Sequence, residues 1–589
     1  MLSHMGELRP ASPPVVSEGT SALVVGDGAA FLLVATIVFS LGSIALVTRR
    51  RRIRDLTIFS ALVVAVASLV LAAAIVWFIA LLVLGFPDFP SPSRRTLSQF
   101  GGVVQVGLNV AAAVGVAVAL LVTYRKQRDS EAAREADLFR IAVEQLGSEQ
   151  YFIRITGVLA LRDLADRWES WRQRCLDMLC VAIVQPGEGS EGIRRLICQI
   201  LGERFDGQSP GWRGCSITIA HGEVSELELS NLVLHGGTLT LRELTISQPV
   251  NLPEVRLSGG ARLVLDGLRL TSTLNLNKVV CLSNGIIEMK KICIGANGVL
   301  DLSEAQIAPG GTLRVQKLTA QDSGQLLARK LWARGLVELN DLTFESGASI
   351  NLAELICEAG RVSIREVHNS GGNLNLAGVR VRKGGYLRID RYFGDDARLS
   401  LVGGRVTEAS AVSLTNIMVC DGTCLDLTQV YNKSGSLFYA QVVVNAGLVD
   451  LTSFENEDKG SVFILRAHME GTNGRIQFRG GGNYGGDVHI EAYNFDRSIP
   501  AGTFSFKDLN LRRGQIELDL APAVEVVASG LSLHKAETLV SAGPEATRKL
   551  YRAMRPRATG TLSSSSHPWS DHLQQSPLGR PIQWQDGEL

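Results

Sequence analysis

The residues able to do chemistry in this 589-residue chain are few: nine cysteines, nine histidines, and scattered acidic side chains. The cysteines are Cys175, Cys180, Cys198, Cys215, Cys281, Cys293, Cys357, Cys420 and Cys424. Paired C-x-x-C spacings would point to zinc, and an even, regular set to a disulfide framework. The number here is odd, no C-x-x-C pair occurs and the spacing is irregular, so reduced and mostly buried thiols are expected. His221, His235, His368, His468 and His489 fall far apart and read as surface or corner residues. Asp395-Asp396 has the composition of an acid pair but the setting of an exposed corner. The run RGGGNYGGD (479–487) has enough glycine to cradle a phosphate, yet its glycines keep step with a repeat and read as two corners. No P-loop, H-E-x-x-H or G-x-S-x-G occurs. The sequence therefore assigns no catalytic, cofactor-binding or metal-ligating residue, and no enzyme is expected.

Charge excludes a further class. The formal net charge is +1 and the pI about 7.6, which gives no electrostatic reason to expect a nucleic-acid partner. Residues 221–540 carry a net charge of about −4, too little for a rod that imitates DNA. Gly is frequent, at 60 residues, and mean hydropathy is +0.15. Membrane segments together with a glycine-punctuated repeat would account for both.

Three apolar runs open the chain, at 29–47, between Asp55 and Asp88, and at 101–123. Each is long enough to cross about 30 Å of hydrocarbon as a helix. They are read as three transmembrane helices within 29–123, behind an extracytoplasmic tail at 1–28. The first run lacks the flanks of a cleaved signal peptide. Arg49 to Arg52, Arg54, Arg125, Lys126 and Arg128 place the first loop and everything after Tyr124 in the cytoplasm by the positive-inside rule. The lipid bilayer of the cell membrane is thus an expected partner. In the third run Gly107, Ala111, Gly115 and Ala119 share a face and suit close helix packing, with Asn109 able to bond across it.

Residues 124–205 read as a helical connector. Leu138, Ile141, Ala142 and Leu146 form a stripe stopped by Gly147, and Ile153, Ile155, Val158, Leu159, Leu161 and Leu164 repeat the helical period. Arg154, Arg162 and Arg167 are expected on a solvated face or in local ion pairs. The segment FRIAVEQLGSEQYFIRITGVLALRDLA resembles the connector in a family of actinobacterial-type multi-pass membrane proteins that carry a pentapeptide-repeat-like β-solenoid. The matching features are Arg125 to Arg128, Ala142 to Ser148 and Arg154 to Ala165. The resemblance implies an architecture, a small HEAT-like helical unit ahead of a solenoid, and no activity.

A repeat organises the remainder. Pairs of apolar residues at i and i+2 begin at 227, 239, 250, 263, 274, 287, 300, 313, 326, 337, 350, 362, 374, 387, 399, 412, 425, 437, 449, 462, 476, 488, 504 and 516. These 24 units have a period of about 12.6 residues. In GGNLNLAGVRVRKGG (371–385) the apolar phase slips by one residue between Leu376 and Val379. A corner at Ala377-Gly378 would absorb that residue and let both pairs face inward. The expected fold is a right-handed parallel β-solenoid over 206–534, with two units per coil and about twelve coils, roughly 60 Å long. Asp301-Leu302-Ser303-Glu304-Ala305, Asn351 to Leu355, Asn375 to Val379 and Asp426 to Val430 resemble the pentapeptide repeat A-(D/N)-L-x-x, with the Ala position mostly replaced. Residues 535–589 read as a cap, with a short helix at 546–554, and a disordered tail.

Together these features predict a membrane-anchored cytoplasmic scaffold for protein partners. The alternatives are a filament built by end-to-end stacking, which would make the chain a homo-oligomer, and, third, a β-helix enzyme. Arg380, Arg382 and Lys383 are the outward residues of the 371–385 stretch, expected as solvated surface.

Overall fold

The computed structural model describes residues 94–542 apart from 186–188, 208–210, 225–226, 458–460, 471–472, 494–500, 508–509, 514, 521–523, 530–531 and 534–536, together with 548–550, 552 and 562–563. The chain divides into two units, 1–133 and 134–589.

The membrane reading is corrected. Among the described residues no helix is long and apolar enough to cross a membrane. The run at 101–123 is not a separate span. It belongs to one 53-residue helix, α1 (Arg94–Leu146), which continues unbroken through RKQRDSEAAREAD. The segment after Tyr124 is made of helix formers and holds no Pro or Gly until Gly147, so nothing stops the helix where the apolar run ends. The first two apolar runs lie outside the described residues.

Three further helices follow: α2 (Tyr151–Arg167), α3 (Glu169–Val184) and α4 (Ser190–Arg204). Their inward stripes, including Val158, Leu161, Leu176, Leu179, Ile193 and Ile197, are fully buried. Gly147 ends α1, its N–H bonded to the Val143 carbonyl at 3.0 Å. Of the stripe read in α1, Ala142 and Leu146 are buried, whereas Leu138 and Ile141 stay exposed. Arg162 pairs with Asp163 at 2.7 Å, and Arg167 lies over the Trp168 ring. Arg154, expected on a solvated face or in a local ion pair, is buried, because its turn faces inward with Gly157 and Val158.

From Ile217 onward the chain is a parallel β-solenoid with three sheets, of sixteen, thirteen and thirteen strands. Sheet 1 takes the long strands and sheets 2 and 3 the short ones. One coil shows the plan. Asn373–Asn375 lies in sheet 2, Arg380–Arg382 in sheet 3 and Tyr386–Asp395 in sheet 1. The next coil repeats it: Leu374 pairs with Leu399, Val381 with Val406 and Leu387 with Val412. A step of about 25 residues is two of the 12.6-residue units.

The two units of a coil are built differently. Units beginning at 250, 274, 300, 350, 374, 399 and 425 turn a corner between sheets 2 and 3, as expected at Ala377-Gly378. Units beginning at 239, 287, 313, 337, 362, 387 and 412 do not turn. Each is a single strand of sheet 1 whose phase slips at one left-handed residue, such as Lys291 (φ 52°), Lys317 (φ 60°) or Arg391 (φ 56°). Both halves pair in the same sheet, with Ile287 beside Leu313 and Ile294 beside Ala320. At 437 and 462 the inward residues are one step later, Phe438 and Phe463.

Leu374, Leu376, Val379 and Val381 are all buried, as are their equivalents along the core. Each such side chain stabilises the fold by about 1.5–3 kcal/mol. The opening edge of sheet 1, Ile217–Val224, is covered by α3. Gln173 of α3 donates to the Ser216 carbonyl at 2.8 Å and accepts from the Ser216 N–H at 2.9 Å. An open edge would otherwise present unpaired backbone groups. Near the far end, residues 548–550 are helical and Leu550 is buried.

Candidate functional site

The residues singled out for possible chemistry are dispersed by the coil. None of the nine cysteines is joined in a disulfide. Burial pushes Cys175 and Cys180 up to about 12, and Cys198 and Cys357 up to about 11. Such thiols are poor nucleophiles and poor ligands. His221 pairs with Glu243 at 2.9 Å, His235 Nδ1 meets the Ser258 hydroxyl at 2.6 Å, and His368 stands against the Phe393 ring. His468 and His489 occupy successive strands but different registers, opposite Tyr493 and Ile464. Asp396 sits at a corner with φ 48°. In RGGGNYGGD, Gly480 and Gly481 make one corner, Gly482–Tyr484 is a strand of sheet 3, and Gly486 belongs to the next corner. Among the described residues no group of three or more His, Cys, Asp or Glu is placed to hold a metal.

The Asn and Asp residues of the pentapeptide-like units have a structural task. Each ends a sheet 2 strand and caps the corner after it. Asp301 accepts from the Ser303 N–H at 2.8 Å, Asn351 from Ala353 at 3.1 Å, Asn375 from Ala377 at 2.9 Å and Asp426 from Thr428 at 3.2 Å. This is the Asx turn, in which the side chain imitates a backbone acceptor.

Two surface features remain. The first is the outward face of sheet 1. In early coils it is charged and internally paired: Arg262 with Glu288 at 3.0 Å, Lys290 with Glu288 at 2.6 Å and Arg314 with Glu338 at 2.9 Å. Further along it turns apolar. Leu437 lies beside Val462 and Tyr439 beside Ile464, all half-buried. Phe393, Met418 and Val443 form an adjacent column, with Phe393 40 % exposed. Alternation places these residues outside because Phe438, Ala440, Val442, Phe463 and Leu465 fill the inside.

The second feature lies at the corners between sheets 3 and 1. Thr312 lies six positions after Gln306, Leu336 only four after Trp332, Arg361 five after Ile356, and Tyr386 six again after Arg380. The two short corners leave an open notch of about 430 Å³ between the longer ones. Its lining includes Gly335, Gly360, Arg334, Arg361, Leu336 and Tyr386. Beside it, Glu358 is buried and accepts from Trp332 Nε1 at 3.0 Å, from Arg382 at 3.4 Å and from the Lys383 ammonium. Arg382 and Lys383, read as plain solvated surface, are therefore tied to a carboxylate. The signal for the notch was present in the sequence, as a spacing between equivalent residues that falls from 26 to 24, but nothing local marks it.

The geometry defines the molecule's class as a parallel β-solenoid consistent with a pentapeptide-repeat-like region. Comparison with protein-family models and with curated proteins finds no match.

Proposed function

We propose that the solenoid is a protein-interaction scaffold without catalytic activity, and that the partner docks an apolar surface on sheet 1 around Tyr439 and Ile464. The observation that carries this is the change along one sheet from paired charges to neighbouring outward apolar side chains, since large apolar side chains grouped on a surface mark contact sites. The Asx caps support kinship with pentapeptide-repeat solenoids. Nine cysteines without a disulfide support a reducing compartment such as the cytoplasm. No membrane anchor is part of the proposal. The filament alternative is weakened by α3, which covers the edge on which another rod would stack.

Affinity capture with the full chain tests the proposal. A partner held by the wild type should be lost with Tyr439→Glu/Ile464→Glu and kept with Arg314→Ala/Glu338→Ala on the charged coils. Equal retention by both variants would refute the assignment of the docking face.

A further inference from the structure

The geometry points to the notch between sheets 3 and 1 as a binding site for an oxyanion, a carboxylate or phosphate group carried on a small molecule. It is separate from the apolar face of sheet 1 and does not depend on it.

Two observations converge there. The first is shape. The cavity, about 430 Å³, is of the size that small-molecule sites occupy, and it exists because two successive corners are shortened. Gly335 and Gly360 line it and let the short corners pack tightly, since a Cβ on either would meet neighbouring backbone carbonyls. The second is charge. Arg334 and Arg361 both line the notch, and among the described residues neither has a carboxylate partner. Each guanidinium instead lies over an aromatic ring, Arg334 over Trp332 at 5.6 Å and Arg361 over Tyr386 at 5.5 Å. An arginine held in place by a ring keeps its N–H fork free for a bidentate acceptor. The nearest buried carboxylate, Glu358, is already taken up by Lys383, Arg382 and Trp332 and leaves these two cations uncompensated.

Corner length makes the notch, and the charges around it make it selective. A neutral ligand would gain the shape but not the two forks. Carboxylate and phosphate share the required acceptor geometry, and the choice between them is left to the probes.

The test is calorimetry on the full chain at low salt with three probes: phenyl phosphate, benzoate, and benzamide as a neutral control. Binding of either anion without benzamide binding is expected, and which anion binds identifies the source. Arg334→Gln/Arg361→Gln should weaken that binding about tenfold or more, whereas Tyr386→Phe, which keeps the ring beneath Arg361, should bind as the wild type does. Inserting Pro-Gly between Arg334 and Gly335 restores the length of the neighbouring corner Ala308-Pro309-Gly310-Gly311 and should abolish binding with the melting transition retained. The assignment is overturned if neither anion binds more tightly than about 10 mM. It is equally overturned if the double variant or the insertion binds as the wild type does.

Discussion

Asn432 donates from its side-chain amide to the Asn456 Oδ1 at 2.8 Å, across one coil of the solenoid and inside the core. Asn456 in turn donates to the Asn483 Oδ1 at 3.1 Å, and all three residues are buried. A polar ladder of this kind is tolerated in an apolar column because the amides meet one another and also donate to backbone carbonyls, which leaves the Asn432 Oδ1 as its one unpartnered end. Asn456→Ala removes an acceptor from Asn432 and a donor from Asn483. It should destabilise the solenoid by about 2–3 kcal/mol. Hydrogen exchange should show the loss concentrated in the coils of residues 432–487, and uniform protection there would count against the ladder.

Corner glycines should separate into two kinds. A Cβ on Gly335 would meet the Gly311 carbonyl oxygen at 2.3 Å and that of Ala308 at 2.5 Å. Gly384 has φ +74° but open space around its missing Cβ. Gly384→Ala should cost about 1 kcal/mol, the strain of a left-handed residue. Gly335→Ala must move backbone and should cost about 3 kcal/mol or more. Urea unfolding midpoints of the two variants would compare them, and equal shifts would contradict the close packing at the short corner.

Acid stability should report on Glu358. The Lys383 hydrogen bond is the largest influence on its carboxyl and, with Trp332 and Arg382, holds it below the ordinary 4.5 against the opposing effect of burial. A carboxyl depressed in the folded state stabilises the fold above its unfolded pKa, and that contribution fades as pH falls through the folded value. The melting temperature should therefore decline below about pH 4.5, and less steeply in Glu358→Gln. Glu288 and Glu457 are also held low and should leave a residual slope. An unchanged slope in the variant would remove Glu358 from the account.

Thiol labelling should follow burial. With iodoacetamide near pH 8, the half-buried Cys215, Cys293, Cys420 and Cys424 should be modified first. Cys175, Cys180, Cys198 and Cys357 should resist until urea is added, because the thiolate is scarce as well as inaccessible. Mass spectrometry over time resolves the order, and early loss of Cys357 would mean that its coil opens.

Much of the solenoid is legible along the chain because its physics is periodic. Leu374, Leu376, Val379 and Val381 announce an inward face by spacing alone, and the 12.6-residue period announces stacking. The helices of the connector are legible in the same way. What misleads is a strong local signal read without its surroundings. The apolar run at 101–123 resembles a span, yet helix propensity carries α1 past it to Leu146. Arg154 is charged and so reads as surface, yet its position on α2 turns it inward.

The sequence by itself determines the repeat, the core residues and the Asx caps, since each depends on neighbours within a few positions. Tertiary structure decides which phase slips become corners. Gly378 and Arg391 both adopt positive φ, yet only the first ends a sheet, because pairing with adjacent coils holds the strand around Arg391 in line. The asparagine ladder and the notch are decided at the same level. Asn432 meets Asn456, and Arg334 shares a cavity with Arg361, only through coils that lie about 25 residues apart in the chain and one strand apart in space.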